Sequence, residues 1–188
     1  MAEYYFDIET YSPNEKPNPD TDKIITIQFQ RIDLRTGEPI GELKILREWN
    51  SSEEEIVTKF YNTFFRDGIG IFDFVAVGDN LNFDWEFLIS KFEKYLGKKV
   101  SSRDLHYKRL YFDIHPFLVL LNKGNFKGAK LNKFTKKQGD GKGIKPMYEN
   151  KEWGSIDNYI KVEAEAFLEL LQKIISNIHK LDIPKLNE

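Results

Sequence analysis

Cysteine is absent from the 188 residues, which excludes disulfides, thiolate nucleophiles and cysteine-ligated zinc together. No apolar run approaches the roughly 20 residues that span a bilayer. Met1-Ala2-Glu3 leads straight into a strand-like segment with no basic or signal-like stretch. The expectation is a cytoplasmic protein with no membrane partner. An excess of one charge is also lacking: 28 Lys and Arg against 30 Asp and Glu leave a formal −2, with a pI near 6.0. Any site for a polyanion must therefore be local. What is present in quantity is apolar and aromatic surface, at 40% and 14% of residues, enough for one sizeable core. The length suits a single domain over residues 1–188.

Residues Tyr4 to Ile8 and Ile24 to Ile32 are rich in β-branched and aromatic side chains and read as strands, separated by turn formers including Pro13, Asn14, Pro17, Pro19 and Asp20. Asp33-Leu34-Arg35-Thr36-Gly37 connects them tightly to a third alternating segment, Ile40 to Trp49, so the opening is an antiparallel meander. The period then changes. Ser51 or Ser52 caps a helix whose first turn holds Glu53, Glu54 and Glu55 and whose apolar face is Ile56, Phe60 and Phe64, ending near Gly68. The apolar run Ile71 to Val77 is expected as a strand buried on both faces. Asp84 to Leu96 follows as a helix closed by Gly97. A further strand is expected around Leu110 to Ile114, then a Lys/Gly/Asn-rich region, then a last helix from about Ile156 to Ile178. Strands followed by alternating helices and strands imply an α/β fold, a mixed central sheet flanked by helices.

Strand alternation puts Tyr5, Asp7 and Glu9 on one side of the first segment and Tyr4, Phe6 and Ile8 on the other. Two adjacent carboxylates repel and suit a hard divalent cation such as magnesium or manganese; they also suit a solvated strand face. Gly78-Asp79-Asn80-Leu81-Asn82-Phe83-Asp84 lies where a strand hands over to a helix, the crevice in which open α/β sheets collect ligands. Here Asp84 serves equally as a helix N-cap, Asn80 and Asn82 as turn residues, and Phe83 as core. On the last helix Tyr159, Val162, Ala166, Phe167, Leu170, Leu171 and Ile174 form a stripe of helical period, with Glu163 inside it. A carboxylate there must be paired, protonated or metal-bound, or sit at the stripe's edge beside a lysine.

Between Leu121 and Lys145 eight lysines, at 123, 127, 130, 133, 136, 137, 142 and 145, face one acid, Asp140. This local +7 in a chain of total charge −2 is a patch able to contact phosphates, or a solvated loop. Phe126 and Phe134 are its aromatics. Either can stack on a base, and Phe134 also suits packing with Leu131 in a short helix.

Together, Tyr5-Phe6-Asp7-Ile8-Glu9-Thr10, Gly78 to Asp84 and Tyr159 to Glu163 resemble the three motifs of the DEDD superfamily of 3′-5′ exonucleases, tyrosine subclass. The first two look most like the proofreading domain of family B DNA polymerases, and Pro17, Pro19, Asp22, Ile24 and Ile25 look like its continuation. The resemblance covers nearly the whole chain and implies a stand-alone domain of ribonuclease-H-like fold. It implies two Mg2+ or Mn2+ ions: Asp7 bridging them, Glu9 and Glu163 on the ion that activates water, Asp84 on the other, and Tyr159 orienting the water. It implies nucleic acid as partner, single-stranded DNA in preference to RNA. Contacts to it would come from Asn80, Phe83, Lys123, Lys127, Lys130, Lys133, Lys136 and Lys137. Two departures stand out: the family's third motif ends in aspartate where this chain has Glu163, and the Asn80 to Asp84 spacing is one residue shorter than the polymerase form. Glu163 in place of aspartate also suits a silent domain that keeps the fold and binds nucleic acid or protein, and the shorter spacing suits other branches of the superfamily better. His106, His115 and His179 lack a suitably placed acid after them, so the histidine subclass is disfavoured and all three are expected to be structural or exposed.

Overall fold

The computed structural model describes residues 2–14, 16–65, 74–136 and 141–177. Its strands are β1 (Ala2–Tyr11), β2 (Lys23–Asp33), β3 (Glu38–Pro39), β4 (Lys44–Arg47), β5 (Phe74–Gly78) and β6 (Tyr111–Asp113). Its α-helices are α1 (Glu53–Phe64), α2 (Leu81–Leu96), α3 (Ser102–Lys108), α4 (His115–Leu121), α5 (Leu131–Phe134), α6 (Ile144–Glu149) and α7 (Trp153–Asn177). The sheet runs β3-β2-β1-β5-β6, with β4 also on β2. β1 pairs antiparallel with β2 and parallel with β5, and β5 pairs parallel with β6.

One face of the sheet packs on α1 and α2 through Phe6, Ile27, Phe29, Phe60, Trp85 and Phe92. The other packs on α4 and α7 through Tyr5, Val75, Val77, Leu118, Phe167 and Leu171. The alternation expected along β1 therefore holds. In β2 it breaks once. Glu9 pairs with Thr26 and Thr10 with Ile24, so Ile25 is an extra, bulged residue. The bulge turns Ile24 and Ile27 to the first core and Ile25 to a third cluster with Ile144, Ile156 and Ile160. That cluster seats α6 and the first turns of α7.

Several boundaries differ from the expected ones. The segment Ile40 to Trp49 is strand only over β4, followed by a 3-10 turn (Glu48–Asn50) whose Trp49 stacks on Trp153 at 4.8 Å. Of the two serines, Ser52 caps α1, accepting from the Glu55 amide at 3.1 Å. That helix ends at Phe64, and Gly68 and residues 71–73 lie outside the described residues. Between β6 and α7 the chain forms α4, α5 and α6, and within the lysine stretch from Leu121 to Lys145 the described residues between α4 and α6 form only the short α5 and a 3-10 turn (Gly141–Gly143). On α7, which ends in the described residues at Asn177, Val162 is exposed and leaves the apolar stripe.

The connection between β1 and β2 is fastened by a buried lysine. Lys91 of α2 donates to the Asp22 carbonyl at 2.5 Å and stands 3.8 Å from Glu53. Glu53 in turn accepts from the Ile24 amide at 2.8 Å and the Tyr95 hydroxyl at 2.6 Å. Burial lowers the pKa of Lys91, and the Glu53 carboxylate opposes that shift. Removing one member of such a pair leaves the other charge uncompensated, at about 3–5 kcal/mol. Glu53→Ala is expected to lower the thermal midpoint more than Lys91→Met, because it also strips the Ile24 amide and the Tyr95 hydroxyl of their acceptor, whereas Glu53 keeps both donors when Lys91 is replaced. Thermal denaturation of the two variants checks the order.

Candidate active site

β1 and α7 set the site. Tyr5 meets Phe167 with ring centroids 4.7 Å apart. Two residues along a strand advance about 6.6 Å and four along a helix about 6 Å, so the two elements keep nearly equal steps. Going forward along β1 and backward along α7, Tyr5 lies by Phe167, Asp7 by Glu163 and Glu9 by Tyr159. Carboxylate oxygens of Asp7, Glu9 and Glu163 accordingly all lie within 4.8 Å of one another. The extra methylene of Glu163 does not keep it from the group.

Asp84 comes from the other side. β1 runs past the end of β5, leaving the Ile8 amide without a strand partner there, and the buried Asp84 carboxylate accepts it at 3.1 Å. Asp84 is thus not the N-cap of α2. The helix starts a turn earlier, at Leu81, and its free amides are met by Asp113 at the end of β6, which accepts from Asn80 and Leu81, each at 2.9 Å, and from His115 at 2.8 Å. Asn80 itself adopts a left-handed conformation with φ of 61° and makes no capping bond with its side chain. Gly78 permits this approach: a Cβ there would lie 3.0 Å from the Phe6 carbonyl and 2.4 Å from Leu81. The ends of β1, β5 and β6 all open into one cleft of about 540 Å³.

Asp7, Glu9, Asp84, Tyr159 and Glu163 line that cleft together with Asn80 and Phe83. Phe83 is only half-buried, packing on Phe87 at 4.9 Å rather than forming core outright. Among the basic residues, Lys127 and Lys130 line the cleft. Lys123 and Lys136 are exposed and do not line it, Lys136 lining a neighbouring depression with Tyr159, and Lys133 is engaged by the Asn122 side chain. Lys137 lies outside the described residues, as do His179 and the side chain of His106.

Three polar residues had no part in the sequence-based site. Gln28, fully buried, donates to Asp7 at 2.8 Å and accepts from the Thr26 hydroxyl at 3.0 Å. Their signal was present as an alternating polar pair in an apolar strand, directly across from Asp7 and Glu9 in register. His115 is the third. It lines the cleft with Nδ1 2.9 Å from Asp79, a pairing between residues 36 apart that no local pattern announces. The expectation of a structural or exposed histidine fits its bond to Asp79 but did not announce its position at the cleft.

Clustered acids shape the titration of their neighbours. Burial, then the Asp7 charge, raises the pKa of Asp84 well above the usual carboxylate range. Burial, then Glu9 and Glu163, raises Tyr159, whose hydroxyl bonds Glu163 and so stays a neutral phenol. Such crowding of hard oxygen donors fits a divalent cation, which would offset the repulsion.

Comparison with known proteins bears on the fold. No protein-family model and no curated protein matches the chain. Among solved structures, the family B DNA polymerase of the archaeon Pyrobaculum calidifontis aligns at TM-score 0.64 and 16% identity, covering 93% of this chain and 24% of the polymerase. Exonuclease I of E. coli in a zinc-bound complex with single-stranded DNA aligns at 0.62 and 12%, covering 97% of this chain and 41% of the enzyme. The fold is ribonuclease-H-like. This ribonuclease-H-like chain spans about a quarter of the polymerase and about two fifths of exonuclease I, and likeness at these identities establishes architecture alone.

If Gln28 orients Asp7, Gln28→Leu should weaken Mn2+ binding about 10- to 100-fold, measured by calorimetry. Gln30→Leu, which removes an exposed bond to the Gly41 carbonyl on the same strand, should leave it unchanged.

Proposed function

We propose that the chain is a metal-dependent 3′-5′ exonuclease of the tyrosine type, one domain releasing nucleoside 5′-monophosphates from single-stranded nucleic acid, DNA in preference to RNA. The observation that carries this reading is the convergence of Asp7, Glu9 and Glu163 within 4.8 Å, with Tyr159 one helical turn before Glu163. The fold shared with a polymerase and with exonuclease I supports it, as does the single-stranded DNA bound by the latter.

Asp7, Glu9 and Glu163, with Asp84 beside them, would hold two Mg2+ or Mn2+ ions, which when bound lower the pKa of an attacking water and offset charge on the phosphate. The protein's own groups do the rest. Tyr159, held neutral, is a hydrogen-bond donor beside Glu163 and orients the attacking water rather than removing its proton. Gln28 and Thr26 fix the rotamer of Asp7. Lys127 and Lys130 offer the cleft's positive charge to backbone phosphates, and Lys123 and Lys136 extend it outside. Asn80 and Phe83 border the terminal nucleotide from the α2 side.

A 5′-labelled oligothymidylate incubated with Mg2+ or Mn2+ should shorten stepwise from its 3′ end, and a circular strand should remain intact. Asp7→Ala should reduce release of mononucleotides to background. Cleavage that survives this substitution, or that opens the circle, refutes the reading. Binding of the strand with no release by the unaltered chain would instead identify a silent domain retaining the fold.

A further inference from the structure

The aromatic ring of Phe126 is 75% exposed, yet it belongs to the cleft that holds Asp7, Glu9 and Glu163. A single exposed aromatic is ordinary on a protein surface. This one is presented by a constructed turn. Asn122, itself buried, donates through its amide to the Asn125 carbonyl at 2.5 Å and the Lys127 carbonyl at 3.1 Å. Lys133 donates to the same side chain, and the Ala129 amide closes on the Phe126 carbonyl at 3.1 Å. Left-handed backbone at Gly124 (φ 77°) and Gly128 (φ 87°) lets the chain reverse on either side of the ring. Ala129, buried in the second core, pins the end of the turn. The other aromatic of the basic stretch behaves differently: Phe134 packs against that core behind Leu131.

We propose that Phe126 is a stacking platform for an unpaired nucleobase of the strand whose end lies at the carboxylates. The proposal rests on the nucleic-acid part of the exonuclease reading. An exposed ring that shares one cleft with Lys127 and Lys130 offers a face to a base and charge to the phosphates of a single strand. A ring face stacks on any base, so the contact is tolerant of sequence. It does require the base to be free of a partner strand, which gives the cleft a preference for single-stranded over paired ends that the carboxylates alone do not supply.

The full chain can be titrated against fluorescent oligothymidylates with Ca2+ in place of Mg2+, so that affinity is read without turnover. Phe126→Ala should weaken binding about 5- to 150-fold, Phe126→Trp should restore it, and neither should shift the thermal midpoint, because the ring is exposed. Strands carrying one abasic site, walked inward from the 3′ end, should include a position that reproduces the loss in the unaltered chain. At that position Phe126→Ala should add nothing further. Equal affinity of Phe126→Ala and the unaltered chain, or a loss identical for all abasic strands, overturns the platform. If the unaltered chain binds strands with this pattern but releases no mononucleotides, the platform stands and the catalytic reading fails. Release of mononucleotides with no effect of Phe126→Ala gives the converse. Absence of binding to any strand overturns both.

Discussion

The packing of α7 along β1, fixed where Tyr5 meets Phe167, is the contact on which the rest of the site depends. A strand delivers side chains to one face every two residues, and a helix delivers them to one face about every four, at nearly the same axial step. Registering one pair therefore registers the next two. Asp7 is brought to Glu163 and Glu9 to Tyr159, without any of these polar groups having to attract one another. That matters because three like charges would drive the elements apart. Apolar burial of Tyr5, Val77, Ala164, Phe167 and Leu171 opposes their repulsion.

The remaining supports work in the same way, each placing a side chain through something distant in sequence. The bulge at Ile25 changes the facing of β2, sending Thr26 and Gln28 behind the acids while Ile25 helps seat α6 and α7. Asp113 meets the amides at the start of α2 from the end of β6, which frees Asp84 to accept from Ile8. The close approach of Gly78 to the Phe6 carbonyl brings α2 against β1. Three strand ends thus contribute to one cleft, as open sheets with parallel strands commonly arrange.

Charge is divided with some economy. The acids come from β1, α2 and α7, and the lysines that line the cleft, Lys127 and Lys130, come from the segment between α4 and α5. A local basic patch on a chain of formal charge −2 allows attraction of a polyanion without a basic surface throughout.

Pattern along the chain determined the strands β1, β2 and β5, the helices α1, α2 and α7, and the facing of Asp7 and Glu9, because these follow from periods of 2 and 3.6 that any short window displays. Motif order supplied Asp84, Tyr159 and Glu163 as companions. Composition marked the basic stretch but not its structure. Packing across the sheet decided the rest. It made Glu163 a neighbour of Asp7 and Glu9, and it removed Asp84 from the cap of α2. It also brought His115 to the cleft, and separated Phe126, exposed at the site, from Phe134, held in the core. Each of these outcomes turns on contacts between residues tens of positions apart, which local propensity does not encode and only the assembled sheet and helices bring together.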